Sequence, residues 1–132
     1  MERIRQVQHS ASQSVRYDGD DETDKIVALG GLGPLAEYAE HLGLTGGLAG
    51  AVPYSGPGIP VVDRGRLLVH SLLMLNAGGD CCTDLGMLQA AESVLGDVGS
   101  DTTFRRMIAD LAKTPGAISA VGGVARKVRS RV

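Results

Sequence analysis

Few residues here have the type and spacing to do chemistry. The two cysteines are adjacent, Cys81-Cys82, which is neither zinc-knuckle spacing nor a CxxC redox pair. Neighbouring cysteines rarely bridge each other and no secretory signal precedes them, so an intracellular chain with reduced thiols is expected. His9, His41 and His70 show no ligand spacing with each other or with the cysteines. His70 lies inside an apolar run and is expected to be a packed core residue. The stretch Tyr17–Asp24 carries five acids in eight positions but lacks the spaced ligands and terminal Glu of a calcium loop. The segment Gly31-Leu32-Gly33-Pro34-Leu35-Ala36 fits G-x-G-x-x-A after the short apolar run Ile26–Leu29. That is the order of a dinucleotide-binding turn, where close-set glycines let the backbone approach a pyrophosphate. The pattern also requires a second strand ending in Asp or Glu about 20 residues on. Nothing acidic occurs between Glu40 and Asp63, and the interval is rich in Gly and Pro. A nucleotide-binding fragment is therefore the weaker alternative. The remaining candidates are basic. Ser100-Asp101-Thr102-Thr103-Phe104-Arg105-Arg106 opens a helix with hydroxyls and two arginines, and Arg126-Lys127-Val128-Arg129-Ser130-Arg131 lies close to the end of the chain. A helix N-terminus followed by cations suits phosphate oxygens.

Charge supports the same reading. Residues 1–104 hold 6 basic and 14 acidic residues, whereas residues 105–132 hold 7 basic and 1 acidic, within a net charge of −2. A basic end on an acidic body suits a polyanion, although a solvated helix face produces the same pattern.

The elements that must position these residues read as helices. Seven of the nine residues from Leu67 to Leu75 are large and apolar. A helix there has no face left for water, so one covered on all sides is expected over about 64–77. It is too short to cross a bilayer, and membrane association is not expected. Asp63 can cap its start and Gly78-Gly79 can end it. Further helices are expected over Pro34–Leu42, Leu44–Val52, Thr83–Glu92 and about Asp101–Ala112. Leu85, Leu88 and Ala91 repeat at three-residue spacing, and Phe104, Met107, Ile108 and Leu111 line one face of their helix. The eight-residue segment Pro53–Pro60 contains three prolines and two glycines and reads as a loop. Pro115-Gly116 breaks the chain before a final amphipathic segment. With 132 residues, only four aromatic residues and 19 glycines, the expectation is an all-α domain of five or six short helices around the apolar helix. A disordered acidic leader (1–25) precedes a helical domain (26–113), and a basic helix or linker follows (114–132).

In order, the chain carries Leu35-Ala36-Glu37 in a helix ending His41-Leu42-Gly43-Leu44, then the Pro/Gly loop and Asp63-Arg64-Gly65-Arg66-Leu67-Leu68-Val69. These are followed by Met74-Leu75, Gly78-Gly79-Asp80, Thr83-Asp84-Leu85, Leu88, and Leu95-Gly96-x-Val98-x-Ser100-Asp101-Thr102-Thr103. Over about residues 29–131 this resembles the N-terminal region of bacterial insertion-sequence transposases of the DDE type. Its most specific parts are the GGD…TDL…L and G-x-V-x-SDTT segments in that order.

The resemblance implies DNA transposition of a mobile element by two-metal phosphoryl transfer on an RNase H-like domain. That pattern of strands is not found in this chain, which is expected to be truncated before it. No cofactor is then expected, the divalent metal belonging to the absent domain. Asp80, Asp84 and Asp101 are read as cap and turn residues, with no catalytic and no metal-binding residue assigned. What remains is an end-binding and assembly region whose partners are DNA at the element's inverted repeats and a second copy of the chain. Its location is expected to be the bacterial cytoplasm, with the nucleoid. Ser100, Thr102, Thr103, Arg105, Arg106, Arg126, Lys127, Arg129 and Arg131 are the expected DNA-binding residues. The segment order 83–92, link, 101–112 is that of a helix-turn-helix, but a link near eight residues is longer than the usual turn of about three or four. The alternatives are a non-functional transposase remnant and a small helical protein-interaction module.

Overall fold

A computed structural model describes residue 29, residues 31–60 and residues 62–132. The whole leader (1–25), with His9, and the apolar run 26–28 lie outside these. The described residues form six α-helices and one 3-10 segment, with no strand: α1 (Leu32–His41), α2 (Leu44–Ala51), α3 (Arg64–Asn76), the 3-10 segment (Cys82–Ala91), α4 (Glu92–Leu95), α5 (Asp101–Lys113) and α6 (Ala117–Arg129). The all-α reading holds.

The two glycines of the G-x-G-x-x-A pattern differ in setting: Gly31 is exposed with nothing packed against it, whereas Gly33 is buried. Gly31 precedes α1 at φ −63°, a conformation open to any residue, and Gly33 is buried in the first turn. Gly43, at φ 72°, turns the chain directly from α1 into α2. The left-handed backbone there is cheap only for glycine.

Helix α3 starts as its sequence requires. Asp63 Oδ1 accepts the Arg66 backbone N–H at 3.0 Å. At the other end Gly78 takes φ 96°, and the Gly79 N–H donates to the Met74 carbonyl at 2.9 Å while Gly78 N–H donates to Leu75 at 3.1 Å. These are the paired bonds that close a helix through a left-handed residue. Gly65 on α3 lies against the backbone of α2, beside the Thr45 carbonyl and the Ala49 backbone nitrogen. The α2–α3 packing is the most extensive between the described elements, because no side chain stands between the two backbones at Gly65.

The expected coverage of α3 on all sides is not found. Leu67, Val69, His70, Leu73 and Met74 are buried, but Leu72 is 44% and Leu75 54% exposed, and Leu68 and Ser71 are half-buried. Helix α2 covers one side near the N-terminal end and the 3-10 segment packs on another, leaving the flank toward Leu72 and Leu75 open. An apolar composition all round does not by itself recruit a neighbour to each side.

The helix expected over 83–92 winds more tightly than α. Ten residues, Cys82–Ala91, are 3-10, well beyond the usual run of about three or four. The physical reason is in the sequence. A helix of about 3.0 residues per turn stacks positions i, i+3 and i+6 in one line, and Leu85, Leu88 and Ala91 have that spacing and are all 0% exposed. Helix α4 then carries Leu95 into the same core. Because α4 extends to Leu95, the segment before α5 is shorter than the sequence suggested, residues 96–100.

Helix α5 buries Phe104 and Met107 against the 3-10 segment. Ile108, expected on the same face, is exposed. Gly116, at φ 78°, starts α6, which lies along α2 with Val124 against Gly47. Val121 and Val124 pack on the core, so this basic helix is docked on the domain.

Candidate nucleic-acid interface

Helix α5 opens through Ser100. Its hydroxyl accepts the Thr103 backbone N–H at 3.2 Å and bonds the Thr103 hydroxyl at 2.9 Å. Ser100, rather than Asp101, is the cap. Buried Phe104 and Met107 fix the roll of the helix, which leaves Thr102, Thr103, Arg105 and Arg106 exposed. Asp101 faces Arg105 one turn on, at 3.6 Å between Oδ2 and Nη2. An exposed pair of this kind is worth about 0.3–0.5 kcal/mol, little enough for a phosphate to displace it. Ser100 and Thr103 already satisfy each other, so Thr102, Arg105 and Arg106 are the groups with capacity to spare.

The second basic group lies elsewhere. Arg126, Lys127, Arg129 and Arg131 are exposed on and beyond the last turn of α6. Arg131 Nη1 donates to the Leu42 carbonyl at 2.7 Å, at the C-terminal end of α1. A cation there satisfies an orphan carbonyl and complements the negative end of the helix dipole. Arg131 is therefore a tie between the chain end and α1, a role that no local sequence pattern announces. Arg126, Lys127 and Arg129 form no ion pair within the described residues. The α6 end meets the α1–α2 corner and the α5 start meets the 3-10 segment. The nine expected residues thus divide into two groups, with no hydrogen bond or ion pair joining them among the described residues.

Two more arginines, not among those expected to bind, are structural. Arg64 is 7% exposed and pairs with Asp110 Oδ2 at 2.8 Å, joining α3 to α5. Arg66 Nη2 donates to the Leu95 carbonyl at 2.8 Å, at the end of α4. Sequence reasoning passes over both because their partners lie 46 and 29 residues away.

Of the acids read as cap and turn residues, Asp101 pairs with Arg105 instead of capping α5, whereas Asp84 caps its own turn. Asp84 Oδ2 accepts the backbone N–H groups of Asp80 at 2.9 Å and Cys81 at 3.2 Å, and the Cys81 thiol at 3.2 Å. These donors, the Asp80 N–H foremost, lower its pKa. Asp80, Cys81 and Asp84 bring ligand atoms within 4.8 Å of one another, but the inward Asp84 oxygen is already saturated by donors of its own turn. Cys81 and Cys82 are both free thiols. Exposed His41 ends α1. His70 is 1% exposed, and its Nδ1 has no hydrogen-bond partner among the described residues. Burial, then the Arg66 charge, lower its pKa to about 4, with Asp63 opposing.

Comparisons with protein-family models, with curated proteins and with solved structures found no match. No helix among the described residues is long and apolar enough to cross a membrane.

Proposed function

We propose that this chain is the non-catalytic, end-binding and assembly part of a DDE-type insertion-sequence transposase, and that it holds DNA by its phosphates. The observation that carries the reading is the first turns of α5. Two buried anchors, Phe104 and Met107, direct Thr102, Arg105 and Arg106 to solvent beside a helix N-terminus. That arrangement positions a backbone rather than reading bases. The exposed Arg126, Lys127 and Arg129 provide a second phosphate-binding group on a separate part of the surface. The five-residue segment before α5 brings the order close to a helix-turn-helix, with the 3-10 segment and α4 in place of the first helix.

The test is fluorescence anisotropy of the full chain on a labelled duplex across a salt series. Removing one phosphate-neutralising cation reduces the slope of log K against log salt by about 0.9. Arg105→Ala with Arg106→Ala is expected to weaken binding at every sequence tested and to lower the slope by about 1–2. An unchanged slope removes α5 from the interface, and salt-independent or absent binding removes the reading altogether.

A second reading, a helical protein-interaction module, draws on the open flank of α3 with Leu72 and Leu75. Sedimentation velocity over a concentration series separates it, because a module that assembles with itself sediments faster as concentration rises whether or not DNA is bound.

A further inference from the structure

A cavity of about 320 Å³ lies between the end of α2, the loop after it, the end of α5 and the start of α6. Its walls include Val52, Ser55, Leu111, Thr114 and Ala120, and one charged residue, Arg64. Small apolar side chains make most of the surface, with the Ser55 and Thr114 hydroxyls set among them. No acid among the described residues lines the cavity.

Arg64 is an unusual wall residue. Its side chain is 8% exposed, whereas its ion-pair partner Asp110 is 60% exposed. Nη2 is used by Asp110 at 2.8 Å, and Nη1 reaches the Pro53 carbonyl at a long 3.4 Å. The Tyr54 ring lies 5.5 Å from the guanidinium carbon. A guanidinium has about five N–H donors in a planar fork, so most of this fork has no protein acceptor among the described residues. A buried cation is costly unless it is paired and hydrogen-bonded. Here its one charged partner is largely in water, and the residue itself lines a space with no acid among its described walls.

We propose that this cavity binds a small monocarboxylate carrying a short apolar body, with the carboxylate on Arg64 and the body against Leu111 and Ala120. One cation, already partly compensated by Asp110, matches a single negative charge. A phosphate dianion would need a second cation, and none lines the cavity. The fork geometry of arginine suits a flat carboxylate. The site is independent of the DNA reading, since it uses none of the α5 or α6 cations. It joins four elements, so its occupant would also clamp α6 to the body.

The test uses the full chain, isotope-labelled, with benzoate as the probe at constant ionic strength made up with chloride. The backbone amides of Thr114, Gly116, Ala117 and Ala120 are expected to shift saturably in the millimolar range, while benzyl alcohol leaves them unmoved. Asp110→Asn, which removes the competing carboxylate, is expected to tighten benzoate by roughly two- to fivefold. Ala120→Leu, which fills the cavity from a helix position that accepts leucine, is expected to abolish saturation with the far-UV circular dichroism retained. Absence of saturation overturns the proposal. So does an equal response to benzyl alcohol, or saturation that survives Ala120→Leu.

Discussion

His70 makes a quantitative prediction about pH. It sits in α3 at 1% exposure, its Nδ1 unpaired, with the Arg66 charge on the same helix. Both burial and that charge disfavour imidazolium, so the pKa falls from 6.5 to about 4. A depressed folded-state pKa means that the unfolded chain takes up the proton first. Stability is therefore complete above about pH 6.5, declines as pH falls from there, and has lost the whole contribution once pH passes below the folded value of about 4. At about 1.36 kcal/mol per pKa unit, the full loss is about 3 kcal/mol, of which about 2 kcal/mol is gone by pH 5. That is a large share of the roughly 5–15 kcal/mol of a typical domain. Other groups titrate over the same range, so the assay is a difference. Urea unfolding free energies are measured from pH 7.5 to 4 for the native chain and for His70→Leu. The substitution also removes the unpaired buried nitrogen, whose burial costs about 1–3 kcal/mol, so the variant is expected to be no less stable at pH 5. The native-minus-variant difference should move against the native chain by about 2 kcal/mol between pH 7.5 and pH 5. A difference that stays flat over that interval would refute the reasoning, because it would mean that the imidazole is either solvated or paired in the folded state.

Two further substitutions test the packing and the tie at the chain end. Gly65→Ala would put a Cβ against the Thr45 carbonyl and within 2.7 Å of the Ala49 backbone nitrogen; backbone cannot yield as a side-chain tip can, so a loss of about 1–3 kcal/mol is expected in chemical denaturation, and a neutral result would show that α2 and α3 do not approach so closely. Arg131→Ala removes the bond to the Leu42 carbonyl and is expected to cost about 0.5–1 kcal/mol of stability, while reducing DNA affinity and its salt slope less than the Arg105/Arg106 pair does. The reverse ranking would return Arg131 to the interface.

What could be read from the sequence was mostly local. Asp63, Ser100, Gly78 and Gly116 act through neighbours three or four residues away, so their types alone announce helix starts and stops. The spacing of Leu85, Leu88 and Ala91 was equally legible, but in a period that is easily mistaken. Three-residue repeats suit an α-helical stripe only approximately and a 3-10 line directly. Nothing local could show that Arg64 pairs with Asp110 across 46 residues or that Arg131 reaches Leu42 across 89. Basic residues read as a set in the sequence therefore separate in space, some tied to distant partners and others left exposed.

The open flank of α3 shows why composition misleads in the same way. Hydrophobic periodicity reports which sides of a helix can be buried. How many are buried depends on how many neighbours the rest of the chain can supply. Here α2 is eight residues long and three of the eight are glycine, which limits the apolar surface it brings. These neighbours bury Arg64 and Gly65 near the start of α3 and Leu73 and Met74 near its end, but leave the side that carries Leu72 and Leu75 open. An exposed Leu pair is ordinary on a protein surface taken alone. Two on successive turns of α3, beside half-buried Leu68, form a continuous strip, and a strip rather than an isolated residue is what a partner surface requires. The assembly role proposed for this chain and the incomplete coverage of α3 thus have one physical origin: a helix with more apolar surface than its short neighbours can bury.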